Sequence, residues 1–145
     1  MLQKVYYTIS SCFFIGNFKG GGTIVSLVYV LCAYFFRLSE TQVYWTFALL
    51  LVFSAFSIEF SKSFCGDDRR IVSDELLGAI VSTIFFPRSL FVYLAAVAAF
   101  RFFDIVKPFP INRIERIGGA TGIIMDDLFS GVAANALVRL IIWLL

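Results

Sequence analysis

The sequence has no histidine, few cysteines and little charge, and each shortage excludes a class of function. The absence of histidine removes imidazole as a metal ligand and as a general base. The three cysteines, Cys12, Cys32 and Cys65, are odd in number and far apart, which argues against a disulfide framework or a zinc site. Charged residues make up 15% of the chain and the net charge is +2, with no basic run typical of nucleic-acid binding. Acid–base or metal chemistry must therefore come from carboxylates, Lys, Cys, Tyr or water.

Apolar residues, in contrast, are abundant. They make up 60% of the chain, and the mean hydropathy is +0.90. Soluble domains are roughly 45–50% apolar and about 25% charged. A chain of 145 residues cannot bury so much apolar surface in one small core, so the composition indicates a protein embedded in lipid. The length predicts one domain, residues 1–145.

Five apolar segments follow one another along the chain, at about residues 23–36, 43–58, 71–86, 89–103 and 126–145. We expect all of them to be helices, because an open sheet edge cannot pair its backbone groups in lipid and the alternating polarity of a membrane barrel is absent. Most are shorter than the about 20 residues of a full crossing, so some are expected to be short or tilted. The predicted fold is all-α, a small polytopic membrane bundle of about four to five apolar helices with short interfacial loops.

The basic residues are distributed unevenly between the loops. If each segment crosses once, one side of the membrane carries most of them: Lys4, Lys19, Lys62, Arg69, Arg70, Arg101, Lys107, Arg113 and Arg116. The loops of the other side carry only Arg37 and Arg88. Because Lys and Arg are enriched in cytoplasmic loops, the first side is expected to be cytoplasmic. On this interpretation Lys62, Arg69 and Arg70 mainly set the topology.

Acidic residues collect on the same side, at the ends of three predicted helices. Asp74 and Glu75 open the third helix. Asp104 closes the fourth, and Asp126 and Asp127 open the last. A helical bundle would bring these ends together, and a cluster made only of carboxylates suits Mg²⁺. The sequence therefore predicts a magnesium site formed by some of these five acids.

Three basic residues near the acids, Arg101, Lys107 and Arg116, could hold phosphate oxygens. Carboxylates, a metal ion and adjacent cations together are typical of a phosphoryl-transfer site. A structural interpretation stays open for each part alone. Acids at a helix start favour the helix macrodipole, and Arg101 with Asp104 forms an i,i+3 pair on a helix surface. Gly78 and Gly131 are expected to allow close packing of helices.

Four blocks of sequence carry a recognisable pattern. Residues 100–116 read FRFFDIVKPFPINRIER, in which Arg, Asp, Lys and two prolines stand at a fixed spacing. Residues 67–78 read DDRRIVSDELLG, residues 119–131 read GATGIIMDDLFSG, and residues 22–27 read GTIVSL. In this order the blocks resemble the motifs of the phosphatidylglycerophosphatase A family, and the resemblance extends over about residues 19–145.

The departures from the family pattern fall at loop and packing positions: Gly21, Val25, Asp68, Arg69, Arg70 and Ala120. The acids that the family pattern contains all remain: Asp67, Asp74, Glu75, Asp104, Asp126 and Asp127. The departures therefore bear on fine geometry more than on chemistry.

The resemblance implies a multi-pass enzyme of the bacterial inner membrane that hydrolyses phosphatidylglycerol phosphate to phosphatidylglycerol and phosphate, with Mg²⁺. We expect its site to face the cytoplasm, where the lipid headgroup lies. In the hypothesised mechanism, Arg101 and Lys107 stabilise charge on the phosphoryl oxygens, and Arg116 helps to bind the phosphate. Asp67 orients the attacking water or acts as the base. The expected partners are the phospholipid substrate and the membrane, without nucleic acid, and the oligomeric state is left open.

Other functions are weighed against this one. A CDP-alcohol phosphatidyltransferase would carry a D-G-x-x-A-R run, which this chain lacks. A non-catalytic membrane subunit with a structural or transport role is the main alternative. A transporter would place charges at mid-membrane depth, whereas the acids here are predicted to lie at one face.

Overall fold

The computed structural model describes residues 2–60 and 68–144, with only the backbone of Glu115 included. Within these ranges the chain forms helices and no strand, which confirms the all-α fold class for this part of the chain. The described helices are α1 (Leu2–Ser10), α2 (Gly21–Phe35), α3 (Glu40–Phe60), α4 (Ser73–Thr83), α5 (Leu90–Val106), α6 (Ile111–Ile114) and α7 (Gly119–Leu144). Two short 3-10 turns, Ile15–Asn17 and Glu115–Ile117, precede α2 and α7.

Helix α4 is the centre of the bundle. It contacts α2, α3, α5 and α7, and it buries eight of its eleven residues. Its side chains pack in two apolar clusters, one around Phe100 of α5 and one around Leu77 of α4 itself. A helix of 11 residues surrounded in this way is a core element rather than a lipid-facing one.

Helices α4 and α7 cross at two glycines. A Cβ atom on Gly131 would lie 2.5 Å from the carbonyl oxygen of Gly78 and 3.1 Å from the Cβ of Val81. A Cβ atom on Gly78 would collide with the ring of Phe100 and would lie 2.8 Å from the carbonyl oxygen of Asp127. The two backbones therefore touch with no space for a side chain between them, which confirms the packing role expected for both glycines.

The longer helices alternate in direction, so the bundle has two distinct ends. At one end the start of α4 meets the end of α5 through an ion pair between Glu75 and Arg101. At the opposite end, the side-chain amide of Asn135 on α7 donates hydrogen bonds to the carbonyl oxygens of Ser82 (3.0 Å) and Ile84 (2.9 Å). These bonds satisfy carbonyls that the last turn of α4 would otherwise leave unpaired.

Two described helices are long and apolar enough to cross a membrane, α3 with 21 residues and α7 with 26. Only 17% and 28% of their apolar windows are buried inside the bundle, so most of their apolar side chains face outward. Helix α2 is apolar but has only 15 residues. The expectation of four to five crossings is therefore not confirmed, because the middle of the bundle is built from helices shorter than a full span.

The last helix differs most from its predicted extent. It was expected to begin at the Asp126–Asp127 pair, but it begins at Gly119. The predicted segment left Gly119 and Gly122 outside the helix, because glycine usually marks a turn or loop. In the structure Gly122 is buried within the helix, so the small residues serve packing rather than chain reversal. As a result Asp126 and Asp127 do not cap the helix but project from its third turn.

Candidate active site

One cavity of about 710 Å³ opens at the end of the bundle where α2, α4 and α7 begin and α5 ends. Its walls are the loop of residues 16–22, the segment before α4, and the charged ends of α4, α5 and α7. The acidic and basic residues of the lining are Lys19, Asp68, Arg69, Arg70, Asp74, Glu75, Arg101, Asp104, Lys107, Asp126 and Asp127. Eleven charged side chains thus surround one space in a chain that is only 15% charged.

Three carboxylates form the buried part of the wall. Asp74 is 6% exposed, Asp126 is 5% exposed and Asp127 is 3% exposed. Asp127 interacts with the carboxyl groups of Asp74 and Asp126 and comes within hydrogen-bonding reach of Asp104. Buried carboxylates at such close quarters repel one another when ionised, so this arrangement requires cations or shared protons.

Two cations meet this requirement in part. The Nη1 atom of Arg101 lies 2.7 Å from Glu75 Oε1 and 2.7 Å from Asp104 Oδ2, so one guanidinium joins the start of α4 to the end of α5. The Nζ atom of Lys107 lies 2.6 Å from Asp126 Oδ2 on α7. The Nε atom of Arg101 is buried and finds no hydrogen-bond acceptor among the described residues. An acceptor oxygen on a bound ligand would satisfy it.

Local backbone geometry places these side chains. Lys107 ends α5 in the left-handed conformation, with φ 43°, and its N–H donates to the carbonyl of Phe103. This reversal carries the chain away from α5 while the side chain of Lys107 reaches α7. Asp74 and Asp126 share a second feature, because the Oδ1 atom of each accepts the N–H of the next residue, at 2.9 Å and 3.0 Å. That bond fixes one carboxylate oxygen of each aspartate, so the second oxygen can interact with a cation or a ligand in the cavity.

Gly22, at the start of α2, leaves the space that the Glu75 carboxylate occupies. A Cβ atom built on Gly22 would overlap both carboxylate oxygens of Glu75. Glu75 therefore holds its position against Arg101 only because residue 22 has no side chain. The 22–27 block had been noticed only as a family resemblance. Its role depends on a contact between two helices distant in sequence, which no local pattern reveals.

The structure brings most of the predicted site residues to one cavity. All five acids proposed as metal ligands line it, as do Arg101 and Lys107. Arg116 is exposed in the 3-10 turn before α7 and does not belong to the lining, so its phosphate-binding role stays a prediction. Asp67 lies outside the described residues, and its role as base or water-orienting group also stays a prediction.

At the outer edge of the cavity, Asp68 and Arg70 form an ion pair. The Nε atom of Arg70 lies 2.9 Å from Asp68 Oδ1, and the Arg70 N–H donates to the same oxygen at 3.0 Å. These hydrogen bonds hold the pKa of the Asp68 carboxyl below its usual range. Arg70 also stacks over the ring of Tyr7 at 5.7 Å, which ties this edge to α1.

Cys12 lies behind the site in a small apolar cluster with Val25 and Val72. Burial, followed by the nearby charges of Asp74 and Glu75, raises the pKa of its thiol to about 12. The thiol is therefore protonated at neutral pH and is not a nucleophile. Cys12 therefore serves as a small apolar residue of the core, whereas Cys65 lies outside the described residues.

Comparison with known proteins identifies the chain's relatives. Residues 8–142 match the family model described as Phosphatidylglycerophosphatase A. A Bacteroides thetaiotaomicron protein with the provisional name phosphatidylinositol-3-phosphatase is 32% identical over 133 residues, which cover 86% of this chain and 82% of that protein. Proteins named phosphatidylglycerophosphatase A match about half of the chain. The one from Haemophilus influenzae is 39% identical over 50% of this chain and 45% of its own length. The one from Escherichia coli is 32% identical over 52% of this chain and 45% of its own length.

No solved structure matches the chain. The family model nevertheless spans nearly all of it, from α1 to the last turns of α7, and includes each described charged group of the cavity. The chain is therefore a phosphatase that belongs to the phosphatidylglycerophosphatase A family.

Proposed function

We propose that the protein removes the terminal phosphate of phosphatidylglycerol phosphate, with Mg²⁺ as cofactor, to give phosphatidylglycerol and phosphate. The observation that carries this proposal is the cavity in which buried carboxylates of α4 and α7 face the cations Arg101 and Lys107. Such a set of groups binds phosphate esters and metal ions and has no evident purpose in a purely structural bundle.

The chemistry of the wall fits Mg²⁺. Its donors are all oxygens, which hard cations prefer, and three of the carboxylates are buried. Among the described residues no three acidic or cysteine side chains converge closely enough to form a ready-made metal cage. Mg²⁺ does not require one, because it usually binds through one or two carboxylates, several waters and the phosphate of its substrate. We propose that Asp126 and Asp127, with Asp74, Glu75 and Asp104 around them, supply those carboxylates.

In the proposed reaction a water attacks phosphorus, the ester bond breaks, and the glycerol oxygen leaves with a proton. When bound, Mg²⁺ supplies charge neutralisation on the phosphoryl oxygens and polarises the attacking water. Lys107 and Arg101 bind phosphoryl oxygens, and an oxygen beside Arg101 also gives its buried Nε an acceptor. Asp67, outside the described residues, is proposed to orient the water or to accept its proton.

The position of the cavity suits a lipid substrate. It lies at the end of an apolar bundle, so acyl chains can stay beside the exposed apolar faces of α3 and α7 while the headgroup enters the cavity. We propose that the protein is a multi-pass protein of the bacterial inner membrane with this end on the cytoplasmic side, where most loop Lys and Arg residues fall. The same proposal includes up to the four or five crossings first expected, in which some of the shorter helices also cross the bilayer.

A substrate panel in neutral detergent tests the assignment. We expect phosphate release from phosphatidylglycerol phosphate to exceed release from phosphatidic acid and from phosphatidylinositol 3-phosphate, by about 10-fold or more in kcat/KM. Phosphatidylinositol 3-phosphate is included because of the name of the Bacteroides relative. A clear preference for that lipid would replace the proposed substrate. Absence of release from every lipid, by folded protein with Mg²⁺, would favour a non-catalytic membrane subunit.

The contact between Gly22 and Glu75 gives a second test. Gly22→Ala is expected to displace the Glu75 carboxylate from Arg101 and to lower kcat/KM by about 10–100-fold, as loss of a supporting contact commonly does. Glu75→Gln is the matched variant, because it changes the same contact from the other side. Because both changes act through one carboxylate, the double variant should lose little more than the more severe single variant. If the loss of kcat/KM in the double variant equalled the product of the two single losses, Gly22 would act independently of Glu75.

A further inference from the structure

The cavity is larger than one phosphate group requires. Its volume of about 710 Å³ is in the range of pockets that enclose whole drug-sized ligands. It also has depth, since Gly119 lies at its edge and Asp126 deeper, and α7 rises about 10 Å between these residues. The cavity therefore has room for a headgroup with parts at two levels.

Of the five cations of the wall, three form ion pairs with acids and two form none in the described ranges. Arg101 and Lys107 lie among the buried acids and form ion pairs with them. Arg70 is paired with Asp68. Lys19 and Arg69 line the same cavity, are exposed, and form no ion pair with any acid in the described ranges. They are the two charges of the lining that the acids of the described wall do not neutralise.

The loops that carry these two cations are held against each other. A Cβ atom on Gly16 would collide with the backbone carbonyl of Arg70, so the loop before α2 touches the segment before α4. The N–H of Val72 donates to the carbonyl of Ser10 at 2.9 Å, which fastens the same segment to the end of α1. The loop before α2 and the segment before α4 therefore form one fixed rim at the opening of the cavity. Lys19 and Arg69 both belong to this rim.

We propose that Lys19 and Arg69 form a second anion subsite, which binds the phosphodiester of the substrate headgroup while the acidic part of the cavity receives the terminal phosphate. This inference rests on the proposed function and adds to it the residues that hold the second phosphate of the substrate, whose headgroup carries a diester phosphate and a monoester phosphate joined by a short linker. The diester lies at the level of the membrane surface, beside the rim. The monoester reaches the buried acids, with Arg101 and Lys107 around it.

A role in setting the membrane topology is the alternative explanation for the charge of Arg69. A topological role explains a positive charge on that side of the membrane. It does not explain why the charge lines the cavity together with Lys19.

The test compares the double variant Lys19→Gln/Arg69→Gln with wild type and with Arg37→Gln/Arg88→Gln, which removes two exposed arginines outside the cavity lining. Binding of short-chain phosphatidylglycerol is measured by calorimetry in nonionic detergent micelles, because this lipid has the diester but no monoester. We expect Kd to rise by about 10-fold for the rim variant, from the loss of two charge-assisted contacts, and to stay unchanged for the control. Inorganic phosphate, as a probe of the acidic part, should bind all three proteins equally.

Equal phosphatidylglycerol binding by wild type and the rim variant would overturn the proposal. The proposal would also be overturned if wild type and the rim variant differed in binding only with vesicles of anionic lipid. The cations would then bind the bulk membrane surface rather than one headgroup. The KM for phosphatidylglycerol phosphate should rise with the Kd while kcat is retained. Because the binding measurement needs no turnover, an inactive wild-type protein would count against the proposed reaction and not against the subsite.

Discussion

Replacing Asp127 with asparagine is expected to remove almost all Mg²⁺-dependent phosphate release. Asp127 is 3% exposed and interacts with Asp74, Asp104 and Asp126, so it lies at the centre of the proposed metal site. Loss of one such carboxylate removes several kcal/mol of transition-state stabilisation, which corresponds to a decrease of about 10³-fold in kcat. The measurement is the initial rate of phosphate release from phosphatidylglycerol phosphate in detergent.

Asparagine keeps the size of the side chain, so the variant is expected to fold. Its thermal unfolding should match or exceed that of wild type, since it relieves repulsion among buried acids. Glu40→Gln is the control, because Glu40 is an exposed acid in the first turn of α3, outside the cavity lining. Activity within a few-fold of wild type for Asp127→Asn would remove this residue from the proposed mechanism.

Placing leucine at Gly131 is expected to break the packing of α4 against α7. The new side chain would have to pass the carbonyl oxygen of Gly78, 2.5 Å from its Cβ atom, and this neighbour is backbone that cannot rotate away. Overpacking of a core commonly costs about 1–3 kcal/mol, and we expect a value at or above the upper limit here. The thermal midpoint, followed by circular dichroism in detergent, should fall by about 5–10 °C.

A matched substitution on the same helix distinguishes the effect of side-chain size from the effect of its position. Ala136 is exposed on α7, so Ala136→Leu adds similar bulk to a face that points away from α4. This variant should keep the wild-type midpoint to within a few degrees. If Gly131→Leu were equally stable, the close approach of Gly78 and Gly131 would not be a determinant of the fold. Because Asp126 and Asp127 lie on the same helix, activity should fall together with stability.

The sequence was a good guide to the helices and to the types of residue in the site. Continuous apolar runs predicted α2, α3 and α5 to within a few residues, because a helix in an apolar environment leaves a run with few charges. Acids at the ends of separate segments predicted that Asp74, Asp104 and Asp127 would approach one another. The reason is general, since charged groups in a lipid-embedded chain collect where they can be paired or hydrated.

Other features depend on contacts that no local pattern contains. The early start of α7 was missed because glycine usually marks a loop, whereas Gly122 is buried in a helix. The fit of Glu75 against Gly22 and the ion pair between Lys107 and Asp126 join residues far apart in sequence. The expected number of crossings is not confirmed for a related reason. Apolar composition predicts burial but does not distinguish a lipid-facing helix from the buried α4.

The measurement that most directly tests the central proposal is phosphate release from phosphatidylglycerol phosphate by the purified wild-type protein, with Mg²⁺, with EDTA, and with Mg²⁺ restored after EDTA. The proposed site predicts release with Mg²⁺, loss of at least about 10²-fold with EDTA, and recovery on restoring the ion. Release that EDTA leaves unchanged would contradict metal-dependent chemistry among the carboxylates of α4, α5 and α7. No release under any of the three conditions would contradict the proposed substrate itself.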